Sequence, residues 1–115
     1  MLKKLNRLTT KFQFNIVKKY GTRISTDLFS VTTLRPRNYE GPTKVGFVVP
    51  NTITKKATKR NRIKRLLRES VRKHFTEFPN GQWLAFFVNH KILDKTYEEI
   101  NSQVTKALQK ISIAG

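Results

Sequence analysis

The chain has 115 residues, 37% of them hydrophobic, which suits one compact domain spanning residues 1–115 and is too short for two. It contains no cysteine, which excludes thiolate metal sites, thiol nucleophiles and redox pairs together. Its 24 Lys and Arg against 7 Asp and Glu give a formal net charge of +17, a balance that points to a polyanionic partner, nucleic acid ahead of an anionic membrane surface.

No apolar run approaches the ~18 residues of a membrane span. The first 26 residues carry no acid, which also fits a mitochondrial presequence, but the ordered helix expected within them argues against that reading. Between Thr10 and Tyr20, Phe12, Phe14, Ile16 and Val17 sit among Lys11, Lys18 and Lys19, with Gly21 placed as a C′ residue. A short helix is expected, although the even spacing of 12, 14 and 16 also permits a strand. From Ile24 to Leu34, Phe29, Val31 and Thr33 alternate with Ser30 and Thr32, which predicts one half-buried strand. Pro36, Gly41 and Pro42 end it. Residues 44–49 are more continuously apolar and predict a second, central strand, closed by Pro50 and Asn51.

The stretch from Lys55 to Lys73 holds ten of the 24 basic residues and one acid, Glu69. On a helix, Ile63, Leu66, Leu67 and Val71 fall in one apolar sector with Ser70 and His74 between them. Asn61, Arg65, Arg68 and Arg72 lie opposite, with Lys64 beside them and Arg62 on the other flank. Like charges at i, i+4, such as Lys64 and Arg68, repel, so the helix needs a counter-ion. A solvated face would normally intersperse acids, and an import signal would normally sit on a flexible segment without its own apolar stripe. A helix laid against phosphates fits better, because the arginine fork pairs with phosphate bidentately. Asn61 suits either a polar contact to RNA or simple stabilisation of the helix start.

After this helix, residues 78–81 predict a turn and residues 82–89 a third strand, buried on both faces. Thr96 and Glu99 form a capping box opening a last helix with Tyr97, Ile100, Val104, Leu108 and Ile111 on one stripe. Strand, basic helix, strand is a βαβ order. The fold class expected is α+β, a compact two-layer sandwich of helices on a small mixed sheet, with the basic helix as crossover. The seven acids are scattered, and His74 and His90 have no partner pattern, so neither a catalytic centre nor a metal site is expected in the chain. His74 is expected to pack and His90 to lie in a loop.

The residues "KATKRNRIKRLLRES" resemble the Arg-Asn-Arg signature helix of the bacterial ribonuclease P protein family, with Arg60, Asn61 and Arg62 intact and followed by Lys64, Arg65 and Arg68. "NRLTTKFQFNIVKKYG" is similar to the family's opening Arg-Leu and aromatic-bearing first helix, "KVGFVV" to its central strand, and "KTYEEI" to the start of its last helix. The resemblance implies the ribonuclease P protein fold with a left-handed crossover, against the usual rule. It also implies an accessory role in an RNA-based endonuclease. In that role the catalytic RNA, with Mg²⁺ held mainly by RNA, removes the 5′ leader of precursor tRNA, and the protein assists.

By the same resemblance, Arg60, Asn61, Arg62, Lys64, Arg65 and Arg68 are implied to contact the catalytic RNA or the nearby leader. Phe14, Lys18 and Thr32 are implied to line the leader cleft, Phe14 by stacking. Lys55, Lys56 and Arg72 are expected as further phosphate contacts. Two departures stand out: Pro50, Asn51 and Thr52 replace an expected Ser-Lys-Lys, and Lys18 and Thr32 occupy positions that can be aromatic. The grip on the leader is therefore expected to be more electrostatic than stacked. The partners implied are the catalytic RNA and precursor tRNA, with no membrane or protein partner, in the bacterial cytoplasm. The alternative from composition alone is a ribosomal-type structural RNA-binding protein.

Overall fold

The computed structural model describes residues 4–114. Its elements follow in the order α1 (Lys11–Tyr20), β1 (Thr22–Ser25), β2 (Phe29–Leu34), β3 (Lys44–Val48), α2 (Ala57–Lys73), β4 (Trp83–Val88) and α3 (Tyr97–Ala114), with 3-10 turns at Lys4–Asn6, Phe75–Glu77 and His90–Ile92. The sheet order is β1-β2-β4-β3. β2 is antiparallel to both β1 and β4, whereas β3 and β4 run parallel, and α2 makes the crossover between them.

A capping box decides helix over strand for the first element. The Thr10 hydroxyl accepts from the Gln13 amide at 3.1 Å, and the Gln13 side chain accepts from the Thr10 amide at 3.3 Å. Gly21 ends α1 as its C-cap, one place before the C′ position expected, and its φ is −81°. What requires glycine is proximity. An added Cβ would stand 2.5 Å from the Val17 carbonyl oxygen, 2.6 Å from Thr32 Cγ2 and 2.9 Å from the Thr33 carbonyl oxygen.

Two further expectations are corrected. The single strand from Ile24 to Leu34 is a hairpin, β1 and β2, whose turn is fixed by Thr26: its amide and hydroxyl both donate to the Phe29 carbonyl, at 2.8 and 3.0 Å. The strand expected at the centre, β3, lies at the sheet edge, and β2 and β4 hold the centre. β3 reads as continuously apolar because both its faces are covered. Phe47 packs with the core under α2 and α3, and Gly46 lies under Phe14 and Leu8. Its outer edge is also engaged, with Arg7 bridging to Val45 and the Leu8 amide donating to the Val45 carbonyl at 2.9 Å.

Alternation along β4 sorts the two faces. Leu84, Phe86 and Val88 join Ile63, Leu67 and Val71 of α2 and Ile100, Val104 and Ile111 of α3 in the main core. Trp83, Ala85 and Phe87 face the other way, into a smaller cluster with Leu8, Phe14 and Val17. The sheet and the α2–α3 layer make the sandwich, and α1 lies across the reverse face. The expected capping box at α3 is present, with Thr96 and Glu99 exchanging bonds of 3.1 to 3.4 Å. Ser70 and His74, the polar residues in the apolar sector of α2, are tied across to α3. The Ser70 hydroxyl donates to Asn101 Oδ1 at 2.7 Å, and the His74 ring nitrogens lie 3.1 Å from that oxygen and 2.7 Å from a Glu77 carboxylate oxygen. His74 is thus a packing and clamping residue, as expected, and His90 is exposed in a 3-10 turn. No helix among the described residues is long and apolar enough to cross a membrane.

Candidate nucleic-acid interface

The core stripe of α2 buries Ile63, Leu67, Ser70 and Val71, and Leu66 is half-buried against them. This fixes the rotation of the helix and turns its basic residues outward. Among the described residues, Asn61, Lys64, Arg65 and Arg68 have no side-chain partner, with Asn61 and Arg65 exposed and Lys64 and Arg68 half-buried. Asn61 therefore does not stabilise the helix through its amide; it stands free on the surface.

Its two neighbours are anchored. Arg60 Nη1 donates to the Thr54 carbonyl at 2.9 Å, and Arg62 Nη1 donates to the Lys95 carbonyl at 3.3 Å. The signature arginines are thus pulled to opposite flanks of Asn61, each held by a backbone oxygen and retaining further N–H groups for an anion. Arg72 is engaged within the chain, 3.0 Å from Glu69, and the guanidinium holds the Glu69 carboxyl below its ordinary range. Lys55 and Lys56 are exposed just before α2, where Lys56 is the N-cap residue without a side-chain cap. With no acid in the first turn of α2, cations crowd the positive end of the helix dipole, and an anion relieves them. Asn51 and Thr52 lie exposed in a turn closed by the Ile53 amide on the Pro50 carbonyl at 3.0 Å.

The remaining candidates divide between two cavities on the α1 side of the sheet. One, of about 200 Å³, is lined by Arg7, Thr9, Phe14, Gly46, Lys64 and Arg68 among others. It brings the first-helix aromatic and the basic helix to one wall. The other, of about 390 Å³, is lined by Lys18, Gly21, Arg23, Ser30, Thr32 and Phe87. Thr32 is mostly buried, with its methyl directly under Gly21, so it forms floor more than contact. Neither cavity is lined by an acid. The larger hollow of about 800 Å³ beside the start of α3 sets Asp27, Glu98 and Glu99 against Lys91 and Lys95, a mixed wall with an excess of acid that suits phosphate less well.

Among the wall residues that sequence reasoning missed are Arg7, Arg23, Gly46 and Phe87. Arg7 stood in the opening Arg-Leu pair but carried no role. Gly46 had a signal in being the one small residue within an apolar strand, which marks close approach by another element. Arg23 and Phe87 reach the cavity only through sheet pairing that no local pattern reveals.

A family profile, Ribonuclease P, matches residues 2–112. The ribonuclease P protein component of Finegoldia magna is 34% identical over 109 residues, covering 92% of this chain and 90% of that protein. The corresponding component of Clostridium novyi is 29% identical over 112 residues, covering 97% and 98%. The solved RNase P protein of Staphylococcus aureus shares the fold with a TM-score of 0.83 at 21% identity, covering 93% of this chain and 95% of that one. That of Thermotoga maritima gives 0.80 at 23%, covering 91% and 96%. With the profile spanning nearly all of it and the signature helix turned outward on the matching fold, the chain belongs to the ribonuclease P protein family.

Proposed function

We propose that this chain, a component of the nuclease that matures tRNA 5′ ends, works as an accessory subunit: the catalytic RNA hydrolyses the phosphodiester, and the protein holds RNA and leader in place. The outward face of α2, with Arg60, Asn61, Arg62, Lys64, Arg65 and Arg68, lies against the ribonuclease P RNA, and Lys55, Lys56 and Arg72 add phosphate contacts at its ends. The 5′ leader of precursor tRNA runs along the α1 side of the sheet, with Phe14 stacking on a base and Lys18 neutralising phosphate over a floor that includes Thr32. The observation that carries this reading is the shared wall, where Lys64 and Arg68 of α2 line the same cavity as Phe14. A strand in that cavity touches the protein where the catalytic RNA also docks.

Mg²⁺ is assigned to the RNA. The described residues include no cluster of three His, Asp or Glu side chains placed to hold a metal ion. The protein's part is electrostatic and positional: the cations lower the repulsion between two RNA strands and hold the leader in register. The bacterial cytoplasm is the proposed location. The test is reconstitution. Added to a bacterial ribonuclease P RNA at low Mg²⁺, the protein is expected to raise 5′ processing of precursor tRNA above the rate of RNA alone. An unchanged rate refutes the accessory role.

A further inference from the structure

We propose that the outer edge of α1 is a second track for single-stranded RNA, separate from the cleft, with Phe12 and Tyr20 as base-stacking platforms. Phe12 is 69% exposed and Tyr20 65%. Single exposed rings are ordinary on a protein surface. Here, however, they stand at i and i+8 with half-buried Ile16 between them at i+4, one continuous row along the helix. Phe12 and Phe14, two residues apart, project about 200° from each other around the axis, as do Lys18 and Tyr20. Phe14 and Lys18 line the cleft cavities, so the row runs along the opposite edge.

Charge selects the occupant. Lys11 and Lys19 stand next to the two rings in sequence, α1 carries no acid, and Lys19 Nζ lies 5.3 Å from the centre of the Tyr20 ring. A second copy of the chain would bring the same cations to this row within a molecule already at +17. A partner that is anionic and also offers flat apolar faces is an unpaired nucleic-acid strand, whose bases stack on rings and whose phosphates take the lysines. Eight residues at 1.5 Å rise place the rings about 12 Å apart along the helix, a span of three to four nucleotides at the ~3.4 Å rise of a stacked strand.

The test uses the full chain alone and a fluorescein-labelled 12-nucleotide oligoadenylate, read by anisotropy across a salt series, so its result is independent of reconstituted cleavage. In a Phe14→Ala, Lys18→Ala background that disables the cleft, Phe12→Ala with Tyr20→Ala is expected to weaken binding at least about fivefold per ring. The slope of log affinity against log salt should stay unchanged, since no charge is removed. Phe12→Leu with Tyr20→Leu keeps the helix edge apolar and should lose as much, whereas Phe12→Trp should retain binding. Unchanged affinity in the alanine variant overturns the proposal. So does retention by the leucine variant, or a change of oligomeric state by light scattering accompanying the loss.

Discussion

Gly46→Ala tests the join between fold and cleft. Gly46 is buried, and a Cβ built on it runs into Cζ of Phe14 and stands 3.0 Å from Leu8 Cβ. The main obstacle is the far end of a side chain that can swing, so the ring yields before the backbone does. An off-rotamer ring costs ~0.5–1.5 kcal/mol and overpacking of this kind ~1–3 kcal/mol. A stability loss of about 1–2 kcal/mol is expected, leaving the domain folded. The function suffers more, because the displaced ring no longer faces the cavity it shares with Lys64 and Arg68. Losing one base stack, worth ~1–3 kcal/mol, lowers affinity about 5- to 150-fold. Urea unfolding reads the first quantity; binding of leader-bearing precursor tRNA and of leaderless tRNA to the reconstituted holoenzyme reads the second. The loss is expected for the leader-bearing substrate alone. Equal loss on both substrates, or none on either, refutes Phe14 as a leader contact.

Gly21→Ala is the structural contrast: its Cβ meets the Val17 and Thr33 backbone oxygens at 2.5 and 2.9 Å, which cannot swing aside, so unfolding experiments should show a cost above ~3 kcal/mol. Leu67→Ala removes a fully buried side chain beneath the signature and should cost ~2–5 kcal/mol in a thermal or urea melt, with RNA binding intact wherever the variant remains folded. Arg65→Ala with Arg68→Ala should leave the melt unchanged while reducing the salt slope of RNA binding by ~0.7–0.9 for each phosphate that is no longer neutralised; an unaltered slope would place the RNA on another face. Glu99 reports on pH: hydrogen bonds from the Thr96 hydroxyl and amide hold its carboxyl below the ordinary value. Its folded value being depressed, the contribution to α3 is present above the unfolded carboxylate range and is lost as pH falls through the folded value. Circular dichroism should show acid fraying of α3 that Glu99→Gln makes independent of Glu99 titration.

Periodicity carried the legible part of the fold. The 3.6-residue repeat of Ile63, Leu67 and Val71 located the buried side of α2, and therefore the outward side, because one apolar stripe fixes a helix's rotation. The alternation at 29–33 located β2 for the same reason. The errors arose where a pattern has two causes. A continuous apolar run such as 44–49 reports that both faces are covered, and central position is one way to achieve this; here Leu8 and Phe14 achieve it over an edge strand. Gly21 likewise reports either a positive φ or a close approach, and only the neighbour across the gap, Thr32, decides between them. The outward face of α2 was legible in the sequence and the cleft walls poorly so, since Arg7, Arg23 and Phe87 acquire their neighbours through strand pairing and the bridge to β3.

Asn61 shows what the structure adds to a motif. In sequence it interrupts a run of cations and suits a helix stabiliser as well as a contact. In the fold both flanking arginines are anchored to backbone oxygens, at Thr54 and Lys95, and the amide is left exposed between them. Anchoring lowers the side-chain entropy lost when an arginine meets phosphate, so the signature arrives partly preorganised. The anchors are backbone carbonyls in the loop before α2 and the turn before α3, outside the Arg-Asn-Arg motif. The Arg-Asn-Arg motif is therefore supported from outside itself. The geometry of its two arginines depends on the chain reaching Thr54 and Lys95 in place, which is a reason for the basic helix to be built into the crossover of a folded domain.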